Sequence, residues 1–417
     1  MTLIATFDAA MAALFSNALP KSLGVAVSGG SDSTALLHLM SDWCAPRDIS
    51  LFVATVDHRL RAESASEARA VRRMCEAIGL PHATLVWEDS NHQGNLQDIA
   101  RTARYGLLRD WAETLGVEAV ATGHTEDDQA ETFLMNLARG SGVDGLSGIA
   151  QSHRLHGVRV VRPLLGHTRS DLRAWLQGRD VGWIEDPSNE DHSYQRVRAR
   201  SALNALAPLG LDTATLSATT LRLQAARKAL GETASQVAED VAREENGDLI
   251  LKRAAFLALN EEMRSRILAA ALVWVSSAPY RPRAKSLKNT LADIKSHHTA
   301  TLHGCLIYKV KADFRISREV KGTMPRVVVE ETTIWDNRWS LETGNFIGCE
   351  VKALGEKGLR ALGAERPSET PRRALLALPS IWRGGRLIAC SHLNFGPKHS
   401  VNLERAKRPF AASLLSH

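Results

Sequence analysis

The chain has 417 residues, more than one hydrophobic core usually organises, so two or three domains are expected. It contains no uninterrupted apolar run of transmembrane length and no basic region followed by an apolar one and a cleavage site, which excludes a membrane protein and points to the cytoplasm. Five cysteines, Cys44, Cys75, Cys305, Cys349 and Cys390, are odd in number and never two residues apart, which excludes a disulfide framework and a Cys-x-x-Cys site. The net charge of +6 is uneven: residues 1–210 hold 20 Lys+Arg against 25 Asp+Glu, net −5, and residues 211–417 hold 32 against 21, net +11. An acidic first half suits magnesium and cationic substrates; a basic second half suits a polyanion such as RNA.

In chain order, residues 1–19 read as an amphipathic helix with Phe7, Ala10, Met11, Leu14 and Phe15 on one stripe, ended by Pro20. Strand signals at 23–27, 50–56, 83–87 and 118–122 then alternate with helical ones near 33–42, 64–78, 95–115 and 126–139. This is the pattern of an α/β doubly wound parallel sheet. A further strand is expected at 158–162, and Thr168 with Asp171 has capping-box spacing for a helix through Gln177. Beyond about 206 the composition shifts: long helices are expected at 214–245 and 253–275, strands within 300–320, a linker at 321–325 and a small β-rich domain to the end. The expected domains are therefore 1–205, 206–325 (mainly helical) and 326–417.

Four stretches carry chemistry. At Gly24–His38 an apolar strand meets Ser28-Gly29-Gly30-Ser31-Asp32-Ser33 and passes at once into a helix, so backbone N–H groups, a helix N-terminus and the hydroxyls of Ser28, Ser31 and Ser33 aim at one point. That is an anion cradle, and Asp32 adds a carboxylate fit for magnesium. No lysine follows, so it is not the Gly-x-x-x-x-Gly-Lys-Ser/Thr loop; it resembles the pyrophosphate loop of the ATP pyrophosphatases. At His124–Thr132, Thr125 and Asp128 form a second capping box, which crowds Glu126, Asp127 and Asp128 into a first helical turn with Glu131 one turn on. The place of this turn after a strand, beside the Ser28 loop in a doubly wound sheet, favours magnesium at Asp127 and Asp128 over a merely solvated helix start. Arg101 and Arg104, three apart on a helix, are sources of positive charge for phosphates. Residues 139–148 hold four glycines and read as a mobile loop at the crevice mouth, while Asp186–Asp191 reads as a turn and Arg196, Arg198 and Arg200 as a basic segment for RNA phosphates.

Taken together, Ser-Gly-Gly-x-Asp-Ser, Val56-Asp57-His58, Ala-Arg-x-x-Arg-Tyr at 100–105, His-x-x-Asp-Asp-Gln-x-Glu-Thr at 124–132, Arg-Gly-Ser-Gly with Asp-Gly-Leu, Arg162-Pro163-Leu164-Leu165 and Asp186-Pro187-Ser188-Asn189 stand in one order. In this the sequence resembles the tRNA(Ile)-lysidine synthetases, densely over about 21–205 and only in layout beyond. Arg59 stands where that family usually has glycine.

The resemblance implies a two-step reaction. ATP adenylates the C2 oxygen of the wobble cytidine in the isoleucine tRNA with a CAU anticodon, and the side-chain amine of free L-lysine then displaces AMP to form lysidine. It implies that Ser28, Gly29, Gly30, Asp32 and Ser33 hold pyrophosphate, that Ala26, Asp57 and His58 border adenosine, and that Asp127, Asp128 and Glu131 form the metal and lysine side. Arg104 would steady developing charge, and His124 or a carboxylate is a candidate base for lysine. The competing readings are another ATP pyrophosphatase, such as a tRNA 2-thiolase or an amidating synthetase, and a non-catalytic RNA-binding protein with the nucleotide fold. Paired cysteines and an N-terminal cysteine nucleophile are absent, and the non-catalytic reading predicts ATP binding without tRNA-dependent pyrophosphate release. The sequence leaves open whether the protein is a monomer or a homodimer.

Overall fold

The computed structural model describes residues 2–59, 63–88, 96–155, 157–185, 195–278, 280–296, 298–320, 324–363, 367, 369–403 and 409–415. The turn expected at Asp186–Asp191, most of the linker at 321–325, and Leu60 and Arg61 after the Asp57-His58 turn lie outside these. The chain divides into two compact units, Met1–Arg227 and Lys228–Ser416.

The first unit opens with α1 (Leu3–Leu14), whose Phe7, Met11 and Leu14 are buried as the stripe predicts. There follow β1 (Ser22–Ala26), α2 (Ser31–Cys44), β2 (Ser50–Asp57), α3 (Ser64–Ala77), β3 (His82–Val86), α4 (Leu96–Leu115), β4 (Ala119–Thr122) and α5 (Glu126–Ala138). Next come the short α6 (Val143–Leu146), β5 (Ser152–Leu155), β6 (Val158–Val161), α7 (Arg169–Gln177) and α8 (Gln195–Leu206). The sheet order is β3-β2-β1-β4-β6-β5, parallel except for the edge pair β5–β6. Strand order reverses between β1 and β4, and ligands of such sheets bind beyond the carboxyl ends of the strands at that point. Apolar β1 and β4 fit this central place, buried on both faces.

Two sequence expectations change here. The glycine-rich segment 139–148 carries the helical turn α6 and is pinned to the body: Asn136 Nδ2 donates to Gly145 O at 2.7 Å, and Gln129 exchanges two bonds with the Ile149 backbone. The antiparallel strand β5, Ser-His-Arg-Leu, lacks the apolar run that marks the parallel strands.

The helix α9 (Thr213–Val241) spans the division between the units and stops four residues short of its expected end. There the chain turns into a hairpin, β7 (Ala242–Glu245) and β8 (Asp248–Leu251), through Asn246 and Gly247, both at positive φ. Asn-Gly between strand-forming segments is the strongest short-range hairpin signal, and here it overrides the helix former run before it. The second expected helix is two, α10 (Arg253–Ala258) and α11 (Glu261–Ser276), because the Asn260 side chain caps a new helix by accepting from Met263 N. After α12 (Ala284–Lys295), strands β9 (Ala300–Leu302), β10 (Cys305–Val310) and β11 (Asp313–Arg318) complete the sheet β7-β8-β11-β10-β9.

The rest of the second unit is β-rich. It holds β12 (Val327–Val328), β13 (Thr332–Trp335), β14 (Trp339–Glu342), β15 (Glu350–Ala353), α13 (Gly355–Leu362), α14 (Arg372–Leu376), β16 (Pro379–Arg383), β17 (Arg386–Ala389), β18 (Ser400–Leu403) and α15 (Phe410–Ser413). Two antiparallel sheets, β12-β15-β16-β17 and β13-β14-β18, bury Trp335, Leu341, Val351 and Ile381 in a common core.

Candidate active site

The Ser28 loop closes on itself at the end of β1. Ser33 Oγ accepts from Ser28 N at 3.1 Å and donates to Gly30 O at 3.1 Å, and Thr34 Oγ1 donates to Gly29 O. Gly29 is required twice over: its φ is +92°, and a Cβ there would stand 2.6 Å from Ile184 Cδ1. Gly30 is the N-cap of α2, so the first-turn N–H groups of α2 face the space above the loop. On the neighbouring strand, Asp57 turns inward and its Oδ1 accepts from Arg59 N at 2.9 Å. That bond holds Arg59 at φ +52°, a conformation natural to the glycine usual at this place in the family it resembles. His58 stands edge-on to Trp87, and its buried Nδ1 has no hydrogen-bond partner among the described residues.

The acidic helix start is built as its spacing predicts. Thr125 and Asp128 form a reciprocal capping box, with Thr125 N donating to Asp128 Oδ2 at 2.9 Å. Asp128 Oδ1 is left to face Arg196 at 3.5 Å and Arg169 at 3.8 Å. Burial tends to raise the Asp128 carboxyl, and Arg196, the Thr125 N–H and Arg169 together hold it below its ordinary range. Glu131 is 1% exposed; Arg200 donates to its Oε1 at 3.0 Å, and its buried Oε2 has no partner among the described residues. Burial and the nearby Asp128 raise its carboxyl, and burial also raises that of Asp32 against the pull of Arg169. His124 is pushed down to about 3 by burial and then by Arg162, so it is a neutral imidazole, with Nδ1 3.0 Å from Thr122 Oγ1.

These pieces surround one cavity of about 710 Å³. Ala26, Ser28, Gly30, Ser31, Asp32, Ser33, His58, Arg104, His124, Asp128, Arg196 and Arg200 line it, out of the residues that the sequence singles out. Gly29 and Asp57 stand behind the lining as backbone and turn supports, and Glu131 lies beneath Arg200. Asp127, expected at the metal, is placed otherwise: its Oδ2 accepts from the Arg169 backbone N at 2.7 Å, which joins α5 to the start of α7. The basic segment divides as well. Arg196 and Arg200, four apart on α8, turn to the acids of the cavity, while Arg198 is exposed on another face.

A sequence model of the PP-loop domain family matches residues 3–207. A tRNA(Ile)-lysidine synthase of Ruegeria pomeroyi is 43% identical over 406 residues, covering 97% of this chain and 96% of the relative. The chain belongs to the tRNA(Ile)-lysidine synthase family. Further relatives of that name, from Wolbachia pipientis and Brucella anthropi, are each 34% identical and cover 91% and 92% of this chain and 90% and 89% of their own. The match to the PP-loop ATP-binding domain supports the use of ATP by this chain. No described helix is long and apolar enough to cross a membrane.

Within the cavity the sequence reading overlooks Arg169 and Arg173 on α7. Arg169 Nε donates to Asp32 Oδ2 at 3.0 Å, and its other nitrogens stand 3.7 Å from Glu131 and 3.8 Å from Asp128, so one guanidinium links α2, α5 and α7. Arg173 Nε donates to Ser31 Oγ at 3.3 Å. The available signal was a pair of arginines one turn apart just after a capping box, a spacing equally common on solvated helices.

Proposed function

We propose that the protein ligates free L-lysine to C2 of the wobble cytidine of the isoleucine tRNA bearing a CAU anticodon, through an adenylated tRNA, with release of AMP and diphosphate. The observation that carries this reading is the meeting of a pyrophosphate-type loop and Asp128 around one cavity, with the buried carboxylate of Glu131 directly behind its Arg200 wall. The names of the relatives supply the tRNA and its product; lysine, magnesium and the residue roles are inferred from chemistry.

In this reading the Ser28–Ser33 loop and the α2 N-terminus bind the polyphosphate, and Ala26, Asp57 and His58 border adenosine. The C2 oxygen of cytidine bonds the α-phosphorus as the bond to the β-phosphate oxygen breaks, and Arg104 steadies the charge. Asp32 and Asp128 face the same space with hard oxygen ligands. Among the described residues no group of three or more His, Cys, Asp or Glu stands together as a metal site. Two carboxylates suit magnesium, which commonly completes its shell with substrate phosphates and water, and which would neutralise polyphosphate charge here. Glu131 receives the lysine ammonium, whose N–H groups answer the unpartnered Oε2. A neutral amino acid would leave that oxygen buried and bare, so the pocket selects by charge. Of the candidate bases, Glu131 has its carboxyl raised above its ordinary range, whereas His124, down to about 3, is too weak a base to hold the proton.

The excess of base in residues 211–417 and the exposed Arg198 are the proposed phosphate contacts of the tRNA, and residues 326–417 are a proposed third domain. The decisive assay supplies ATP, magnesium, radiolabelled lysine and total tRNA. We expect label in RNA that disappears when tRNA(Ile) with the CAU anticodon is removed; RNA that stays unlabelled overturns the reading.

A further inference from the structure

A loop that binds a polyphosphate without a lysine of its own needs cations from elsewhere. The structure shows where they stand. Helix α7 packs along α2, and its first and fifth residues, Arg169 and Arg173, sit one turn apart on the face toward the loop. Their side chains reach the first two residues of α2: Arg169 to Asp32 Oδ2 at 3.0 Å and Arg173 to Ser31 Oγ at 3.3 Å. Both line the cavity.

Each arginine is also held from behind, as a binding residue should be. The backbone N–H of Arg169 is fixed on Asp127 Oδ2, and the α7 N-cap Thr168 accepts from Asp171 N. The Arg173 guanidinium lies over the Trp183 ring at 5.7 Å, and its NH2 donates to Glu185 Oε2 at 3.1 Å. Trp183 Nε1 donates to the other oxygen of Glu185, and the next residue back, Ile184, donates its backbone N–H to Gly29 O in the loop itself. Arg173, the 183–185 segment and the phosphate loop are therefore one connected construction. The remaining guanidinium nitrogens of Arg169 meet acids only at 3.7 and 3.8 Å, beyond good hydrogen-bond distance, which leaves their geometry suited to a further acceptor.

We propose that Arg169 and Arg173 bind the β- and γ-phosphates of ATP, and then the diphosphate leaving group. They supply from α7 the charge that a lysine supplies in Gly-x-x-x-x-Gly-Lys-Ser/Thr loops. When the α-phosphorus bonds the cytidine oxygen, the electron pair of the breaking P–O bond passes to diphosphate, and two guanidinium forks beside it stabilise that charge. Arg173 would exchange its Ser31 contact for a phosphate oxygen, with Glu185 keeping the fork aimed.

This inference rests on ATP as the substrate, and its test contains neither lysine nor tRNA, so a failure of lysine transfer leaves it intact. Binding of ATP and of AMP, each with magnesium, is measured for the full-length wild type and for Arg169→Gln, Arg173→Gln and Arg173→Lys. We expect ATP to weaken by ~10- to 100-fold in each glutamine variant, with AMP unchanged, because AMP lacks the outer phosphates. The Lys variant recovers part of the loss by charge without the fork. ATP binding equal to wild type in both glutamine variants overturns the proposal. So does an equal loss for ATP and AMP, which would make the pair a support of the fold only.

Discussion

Both units set an arginine among carboxylates, buried in one and half-buried in the other. In the second unit Arg315 on β11 donates to Asp248 at 2.7 Å and to Glu245 at 2.6 Å, Ser317 Oγ donates to the same Asp248 oxygen at 2.7 Å, and the Arg315 and Asp248 side chains are 3% and 6% exposed. In the first, Arg169 touches Asp32 at 3.0 Å but Glu131 and Asp128 only at 3.7 and 3.8 Å, and the group opens on a cavity. Each cluster has one buried atom without a partner among the described residues: a donor, Arg315 NH2, in the closed one, and an acceptor, Glu131 Oε2, beside the open one. The same residue types thus serve as a strand-to-strand fastening where distances are short, and border an open cavity where they are long. Distance and access to space separate the two uses; composition does not.

The largest effect expected from that distinction is on stability in the closed cluster. Asp248→Ala takes from Arg315 its buried carboxylate, leaving only Glu245, and from Ser317 its acceptor, and should cost about 3–5 kcal/mol in denaturant unfolding, as removal of one partner from a buried pair does, while ATP binding stays at its wild-type value. A loss of ATP affinity with no loss of stability would reverse the roles assigned to the two clusters. Glu131→Gln should act the opposite way. We expect adenylated tRNA to form at the wild-type rate in a single turnover without lysine, and the lysine concentration needed for its decay to rise ~10- to 100-fold. Slow adenylation with normal lysine dependence would move Glu131 to the phosphate side.

The smallest effect concerns pH. His124 holds its proton only near pH 3 when folded and near 6.5 when unfolded, so the unfolded chain binds the extra proton between those values. Stability therefore falls as pH drops below about 6.5, by about 1 kcal/mol over the first full unit from this group alone. His124→Asn should flatten the pH dependence of unfolding between pH 6.5 and 4 by close to one proton. An unaltered slope would mean that the imidazole is solvated and outside the closed wall of the cavity.

The parallel sheet was legible in the sequence because its strands are continuous apolar runs, and α5 because Thr125 and Asp128 announce a cap. The hairpin at Asn246-Gly247 and the break at Asn260 had local signals too, but the long stretches of helix-forming residues beside them outweigh these. Ser28 and His124, each two residues past a strand end, line the cavity, and Asp57, the last residue of β2, stands behind it. Arg169 and Arg173 were not, since their partners are 137 and 142 positions away along the chain and only the packing of α7 on α2 brings them there. Asp127 stands apart from the cavity lining for a related reason. Its spacing placed it on the right face of α5, but an N–H of α7 arrives to take its carboxylate.

Gly123 joins β4 to the acidic helix, and a Cβ on it would stand 3.1 Å from the carbonyl carbon and oxygen of Asp32 and from Ser33 Cα. Main chain lies against main chain there, with no side chain between. The phosphate loop and the carboxylate pocket are therefore held at a fixed gauge, set by two backbones and not adjustable by exchanging side chains in either. Selection for a different amine can reshape the pocket residue by residue without moving it relative to the phosphates. A single methyl group at position 123 would shift both at once.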